Sequence, residues 1–160
     1  MKAPWLKIAR HPYEEPHHLN LWISASNGRL ESSLEYYCNA EDLGDLGKKL
    51  SGFSGKRSEE VVYDLGSERP EDNFAFFFSM RAKALDSLGH CALRVRMSNN
   101  RADPETEVSE FFIKADVADL NRLGQLLQEF GQLRHRVLDW RVQDGMLFKD
   151  EAEAAANHPL

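Results

Sequence analysis

Three histidines and two carboxylates crowd into eight residues, His11-Pro-Tyr-Glu14-Glu15-Pro-His17-His18. Imidazole and carboxylate are ligand types for divalent metals. A metal held by His11, Glu14, His17 and His18 would activate water for hydrolysis. The spacing fits no recognised metal pattern, and Pro12 and Pro16 stiffen the path between the ligands. A structural loop is therefore the favoured reading, and no cofactor is expected. His90, Arg94 and Arg96 form a second group. They share one side of an alternating segment and make a basic stripe. Such a stripe either receives an anion or forms cross-strand ion pairs with the outward-pointing Glu31 and Glu35, and ion pairing is favoured. Catalysis by His90 would need a nucleophile or carboxylate that the sequence does not place beside it. The third group is Trp22 and Phe77, each on the polar side of its segment. Large aromatics there mark a binding patch, unless the C-terminal segment with Trp140 and Phe148 covers them.

Other chemistry has no motif. There is no Gly-x-Ser-x-Gly and no phosphate-cradling glycine loop, and Gly47-Lys48 lies inside a predicted helix. Cys38 and Cys91 fit no metal or redox spacing and are expected as free, buried thiols in a reducing compartment. The 160 residues carry a net charge of −6, a balance that argues against a nucleic-acid partner. The charge is uneven. Residues 39–73 hold five basic and nine acidic side chains, 102–131 two and seven, and 74–101 five and one. The first residues lack the apolar core of a signal peptide, and no apolar stretch is long enough to span a bilayer, so a cytoplasmic location is expected.

Positioning these groups falls to the alternating segments. Asn27-Gly28 is flanked by clean period-two patterns, and Asn-Gly suits a two-residue type I′ turn. That turn predicts a hairpin of 18–26 and 29–38, with Ala25 opposite Leu30 and Leu21 opposite Leu34 on one apolar side. Residues 5–10, bounded by Pro4 and Pro12, predict an edge strand. Asn39 reads as a helix N-cap ahead of the apolar stripe Leu43, Leu46, Leu50 and Phe53. Strands follow at 61–65, 74–80, about 90–97 and 107–114. The run from Phe74 to Met80 is apolar enough to demand a central position. Asp116 and Asp119 resemble a capping box for a helix with stripe Leu120, Leu123, Leu127 and Phe130. A short hairpin turning at Asp144-Gly145, or an added edge strand, closes the pattern.

The segment Leu88-Gly89-His90-Cys91-Ala92-Leu93-Arg94-Val95 is followed by an acidic turn, an aromatic strand and Asp116-Val-Ala-Asp-Leu120-Asn-Arg-Leu123. This layout, over roughly residues 18–131, resembles small uncharacterised bacterial proteins related to the immunity proteins of polymorphic toxins, the WapI immunity type. The resemblance implies a non-enzymatic protein binder, with a toxin as one candidate partner, and transfers no functional residue. A metal-dependent or His-based hydrolase and a small-molecule binder are the alternatives. The predicted fold is α+β: a twisted antiparallel sheet of about six or seven strands with two amphipathic helices on one face. One domain is expected over 1–148, with a frayed tail at 149–160. The predicted core includes Leu19, Leu21, Ile23, Leu34, Phe76, Phe78, Leu93, Val95, Leu120 and Leu123.

Overall fold

The first hairpin reverses one residue later than its Asn-Gly dipeptide predicts. In the computed structural model, which describes residues 2–157, β2 (His18–Ser26) pairs with β3 (Glu31–Cys38) so that Leu21 faces Tyr36 and Ile23 faces Leu34. Gly28 takes a φ of 93° while Arg29 stays out of the left-handed region. That is the sign pattern of a type II′ turn centred on Gly28-Arg29. The Asn27 side chain is engaged elsewhere: its Oδ1 accepts from the Arg29 and Leu30 N–H groups at 2.9 and 2.8 Å. The pairing differs from the expected register by two residues. An even shift leaves each side chain on its own face, so Leu21 and Leu34 are both buried in the core.

β1 (Trp5–Glu14) is a central strand, not an edge. It pairs with β2 on one side and β8 (Val137–Arg141) on the other. The β8 ladder covers only Trp5–Ala9. Pro12 lies beyond it, in a stretch where the β2 pairing itself is irregular between His11 and Glu14, so its missing N–H costs no ladder bond. β9 (Asp144–Phe148) completes a five-stranded sheet of order β3-β2-β1-β8-β9. Its hairpin turns at Val142-Gln143, with Gln143 at φ 76°, so Asp144-Gly145 lies within the strand.

A second antiparallel sheet has the order β4-β5-β6-β7: β4 (Glu60–Gly66), β5 (Phe77–Ala84), β6 (His90–Ser98) and β7 (Val108–Asp116). The α+β class and antiparallel pairing are as expected, but among the described residues nine strands in two sheets replace the single sheet of about six or seven. β5 is internal to its sheet. It begins at Phe77, and Phe74 is exposed. β3 reaches β7 through Ser32 Oγ and Ser109 Oγ, 2.6 Å apart, and β5 through Tyr36 stacked on Phe78 with centroids 5.0 Å apart. It therefore crosses the strands of the second sheet, and the apolar sides of both sheets share one core. Of the predicted core residues all are buried except Phe76, which is partly buried and packs against the core beside Tyr36.

Two helices close the core. α1 (Ala40–Ser51) starts at Asn39, whose Oδ1 accepts from the Asp42 N–H while an Asp42 carboxylate oxygen accepts from the Asn39 N–H, both at 3.0 Å. α2 (Val117–Phe130) starts at Asp116, and the Asp119 carboxylate accepts from the Asp116 N–H at 3.0 Å. The helices touch through glycine. A methyl on Gly124 would sit 2.3 Å from the Ser51 nitrogen and 2.6 Å from the Gly47 carbonyl oxygen. Trp140 is fully buried and donates to the Asp119 carbonyl at 2.9 Å, so it does not cover an outer face. Residues 151–157, expected within a frayed tail, form α3 (Glu151–Asn157), which buries Ala154 against Val137 and Phe148. The rest of that tail, 158–160, lies outside the described residues.

Candidate functional site

Strand β3 has one partner. Among the described residues β2 pairs with it on one side, and no strand pairs with the other. The Asn27 N–H donates to the Leu30 carbonyl at 3.2 Å, and the β2–β3 register continues from that pair. Bonded and non-bonded pairs alternate along an antiparallel ladder. So Ser32, Leu34 and Tyr36 direct their N–H and C=O groups at β2, while Glu31, Ser33, Glu35 and Tyr37 direct theirs outward. This is a row of open donors and acceptors.

The open edge borders a groove of about 940 Å³. Five consecutive residues, Glu31 to Glu35, line it. Alternate residues of a strand point to opposite faces, so consecutive residues share a cavity only where it abuts the strand edge-on. Thr106 to Ser109, at the start of edge strand β7, line the opposite wall in the same way. That wall is fixed by side-chain amides. Asn100, at φ 52°, donates from Nδ2 to the Ser67 and Phe74 carbonyls at 2.7 and 3.0 Å. Asn99 Oδ1 accepts from the Arg101 and Glu107 N–H groups at 3.2 and 3.0 Å. Trp22, Leu34, Tyr37, Phe76, Met97 and Val108 contribute apolar lining. Among the described residues the lining carries three carboxylates, Glu31, Glu35 and Glu107, and one cation, Arg101, which is itself 3.9 Å from Glu105. Partial desolvation, then the neighbouring Glu35 carboxylate, pushes the Tyr37 hydroxyl above its ordinary value.

The structure separates the residues of the expected aromatic patch and basic stripe. Trp22, 47% exposed, stands on the outer face of the first sheet in a T-shaped contact with the His11 ring. Phe77, Arg94 and Arg96 belong to the second sheet, and Phe77 is partly buried. The expected partners Glu31 and Glu35 lie on the first sheet. Arg94 instead pairs with Glu110, through Nε at 2.9 Å and Nη2 at 2.5 Å. Arg96 holds Glu68 at 3.0 and 2.8 Å and reaches Glu110 at 3.5 Å. The Arg94 hydrogen bond holds the Glu110 carboxyl below its ordinary range. His90, at the start of β6, sits 2.6 Å from an Asp86 carboxylate oxygen, which raises the imidazole and lowers the Asp86 carboxyl.

The His11–His18 segment straddles the end of β1 and the start of β2. His18 pairs across the ladder with Glu14, while His11 packs on Trp22 and lies 4.0 Å from Glu151. Among the described residues no three His, Cys, Asp or Glu side chains converge in a way that would hold a metal. Burial, with the nearby Asp42 carboxylate, pushes the Cys38 thiol up to about 12, and burial raises Cys91 as well. Neither is a thiolate at neutral pH. No helix of the described residues is long and apolar enough to cross a membrane.

The sequence reading missed the edge of β3. Its signal was present: Glu31 and Glu35 occupy the outward positions of an alternating strand, where charge guards an open edge. No protein-family model matches this chain, and neither does any curated protein. Among solved structures, that of the plant transcriptional regulator PBF-2 aligns with a TM-score of 0.47 at 8% identity, covering 82% of this chain and 76% of that one.

Proposed function

We propose that this protein is a non-enzymatic binding module that receives an extended, basic segment of a partner protein by strand addition along β3. The observation that carries the reading is the run Glu31 to Glu35, lining one groove edge-on with its outward amides open. An added strand takes its main-chain hydrogen bonds from Glu31, Ser33, Glu35 and Tyr37. Its side chains then alternate. Those on the outer side neighbour Glu31 and Glu35, four residues apart, and opposite charges directly across a ladder are favourable. Those on the inner side meet Leu34 and Met97, which favour small apolar residues. If the partner is a toxin domain, as the resemblance to immunity proteins implies, the bound segment belongs to that domain.

The test is panning of a displayed random-peptide library against the full chain, followed by amide exchange on the peptides recovered. The reading expects alternating basic and apolar positions in those peptides, and slowed exchange at Glu31, Ser33 and Glu35 on binding. Ser33→Pro removes an outward N–H that an edge strand can spare, so it should leave the fold intact and abolish capture. Peptides without basic bias, protection elsewhere on the surface, or full binding by Ser33→Pro would overturn the reading.

A further inference from the structure

The outer face of the second sheet carries a separate feature, independent of the β3 groove. Across its four strands, pairing sets Glu60, Lys83, Ala92 and Lys114 in one row. The next row is Val62, Arg81, Arg94 and Phe112. The arginines of this face are occupied: Arg81 lies 3.2 Å from Asp64, and Arg94 holds Glu110. The lysines are not. Among the described residues neither Lys83 nor Lys114 forms an ion pair, although Glu60 stands opposite Lys83.

Ala92 explains the shape. It separates two lysines on strands about 9.6 Å apart, twice the inter-strand spacing, and offers only a methyl group between them. The gap is a cleft of about 480 Å³ walled by Phe112, Leu85 and the side chains of the lysine row. Ala92 is only 7% exposed on this outer face, where long cationic side chains stand on either side of it. Phe112 is 55% exposed and lies on the rim, in the same strand as Lys114. An apolar floor flanked by two lysines that form no ion pair among the described residues, with Glu60 at one end of the row, is complementary to a ligand with a hydrocarbon body and one anionic end. A bare anion gains nothing from Phe112 and Leu85. A bare hydrocarbon gains nothing from the lysines.

We infer that this cleft binds an amphipathic monocarboxylate, its apolar body against Phe112 and Leu85 and its carboxylate between Lys83 and Lys114. Decanoate, decanol and acetate, titrated separately into the isotope-labelled full chain, test this. Decanoate should saturate one site and move the amide signals of Ala92 and Phe112. Decanol and acetate should each bind at least about tenfold more weakly. The double variant K83Q/K114Q should lose about tenfold in decanoate affinity, and the control K48Q/K49Q on α1 should lose none. Decanol binding as tightly as decanoate reduces the cleft to a greasy surface, and acetate binding as tightly reduces it to an anion trap. Either result, unchanged affinity in K83Q/K114Q, or signals that move beside β3 instead, overturns the inference.

Discussion

Asp119 ties the second helix to the β8–β9 hairpin, and replacing it with asparagine isolates what its second oxygen contributes. One carboxylate oxygen accepts from the Asp116 N–H at 3.0 Å; the other accepts from Arg122 and from the Gln143 N–H, each at 2.8 Å. Both oxygens thus face backbone donors, and the residue is only 4% exposed. Asparagine has one acceptor and one amide NH₂. Either orientation of the amide sets a donor against an N–H and removes the charge from Arg122. A hydrogen bond to a charged group is worth roughly 1.5–3 kcal/mol, and a stranded buried donor costs roughly 1–3 kcal/mol. The expected destabilisation of Asp119→Asn is therefore about 3 kcal/mol. With a urea dependence of about 2 kcal/mol per molar for a chain of this size, the unfolding midpoint should fall by about 1.5 M. Urea unfolding followed by far-UV circular dichroism and tryptophan emission measures this. Asp116→Asn serves as the control, since asparagine caps a helix as well as aspartate does. The effect should also depend on pH. Burial raises the Asp119 carboxyl, but hydrogen bonds from Asp116, Arg122 and Gln143 outweigh burial and leave it below the usual carboxylate value of 3.8. A lowered folded-state value gives stability that is complete above the unfolded value, about 3.9, and is lost as pH falls through the folded one. The gap between wild type and Asp119→Asn should thus narrow only below about pH 4. An Asp119→Asn unfolding free energy within about 0.5 kcal/mol of wild type at pH 7 would refute the reasoning.

Two further outcomes follow from the same geometry. Gly44 has nothing within 4 Å of an added methyl group, whereas Gly124 would press one against the α1 backbone at 2.3 Å. Gly44→Ala should therefore stabilise by up to about 1 kcal/mol through helix propensity, and Gly124→Ala should destabilise by about 2 kcal/mol or more despite the same propensity gain; thermal melts of the pair measure both. Asp86 raises the His90 imidazole through their 2.6 Å contact, so Asp86→Asn should lower the His90 titration midpoint followed by proton NMR. The sign is that of a raised group: its contribution is complete below the unfolded imidazole value of about 6.5 and is lost as pH rises through the folded one.

Side-chain alternation is the readable part of the fold, because it depends on parity alone. Leu21 and Leu34 reach the same core whether the turn centres on residues 27–28 or 28–29, since an even register shift preserves faces. Strand order is not readable. The partner on the far side of β1 arrives from Val137–Arg141, more than 120 residues along the chain, and no local pattern announces it. Pro12 resembles an edge marker only because β8 stops short of it. The same non-locality scatters the expected site. Arg94 and Arg96 are legible as outward cations, but their carboxylates come from the strand next door and from the loop holding Glu68. Trp22 is recognisable as an aromatic on a polar face, while the emptiness beside Glu31–Glu35 depends on which strand ends the sheet.

The charge on β3 explains why an open edge can persist without pairing to a second copy of itself. The simplest self-pairing is antiparallel about a two-fold axis through Ser33, and it sets Glu31 of one chain against Glu35 of the other at both ends of the contact. Like charges directly opposite are destabilising, and a net charge of −6 adds long-range repulsion between copies. The same two side chains reward a strand that brings lysine or arginine to those positions. Glu31→Lys combined with Glu35→Lys keeps the self-repulsion of like charges while reversing the preference, so it should leave the chain unpaired yet capture acidic peptides in place of basic ones. Glu31→Lys alone sets the introduced ammonium group against Glu35 at both ends and should promote association of the chain with itself, which sedimentation velocity detects. A single variant that stays as unassociated as the double one would show that these glutamates do not guard the edge.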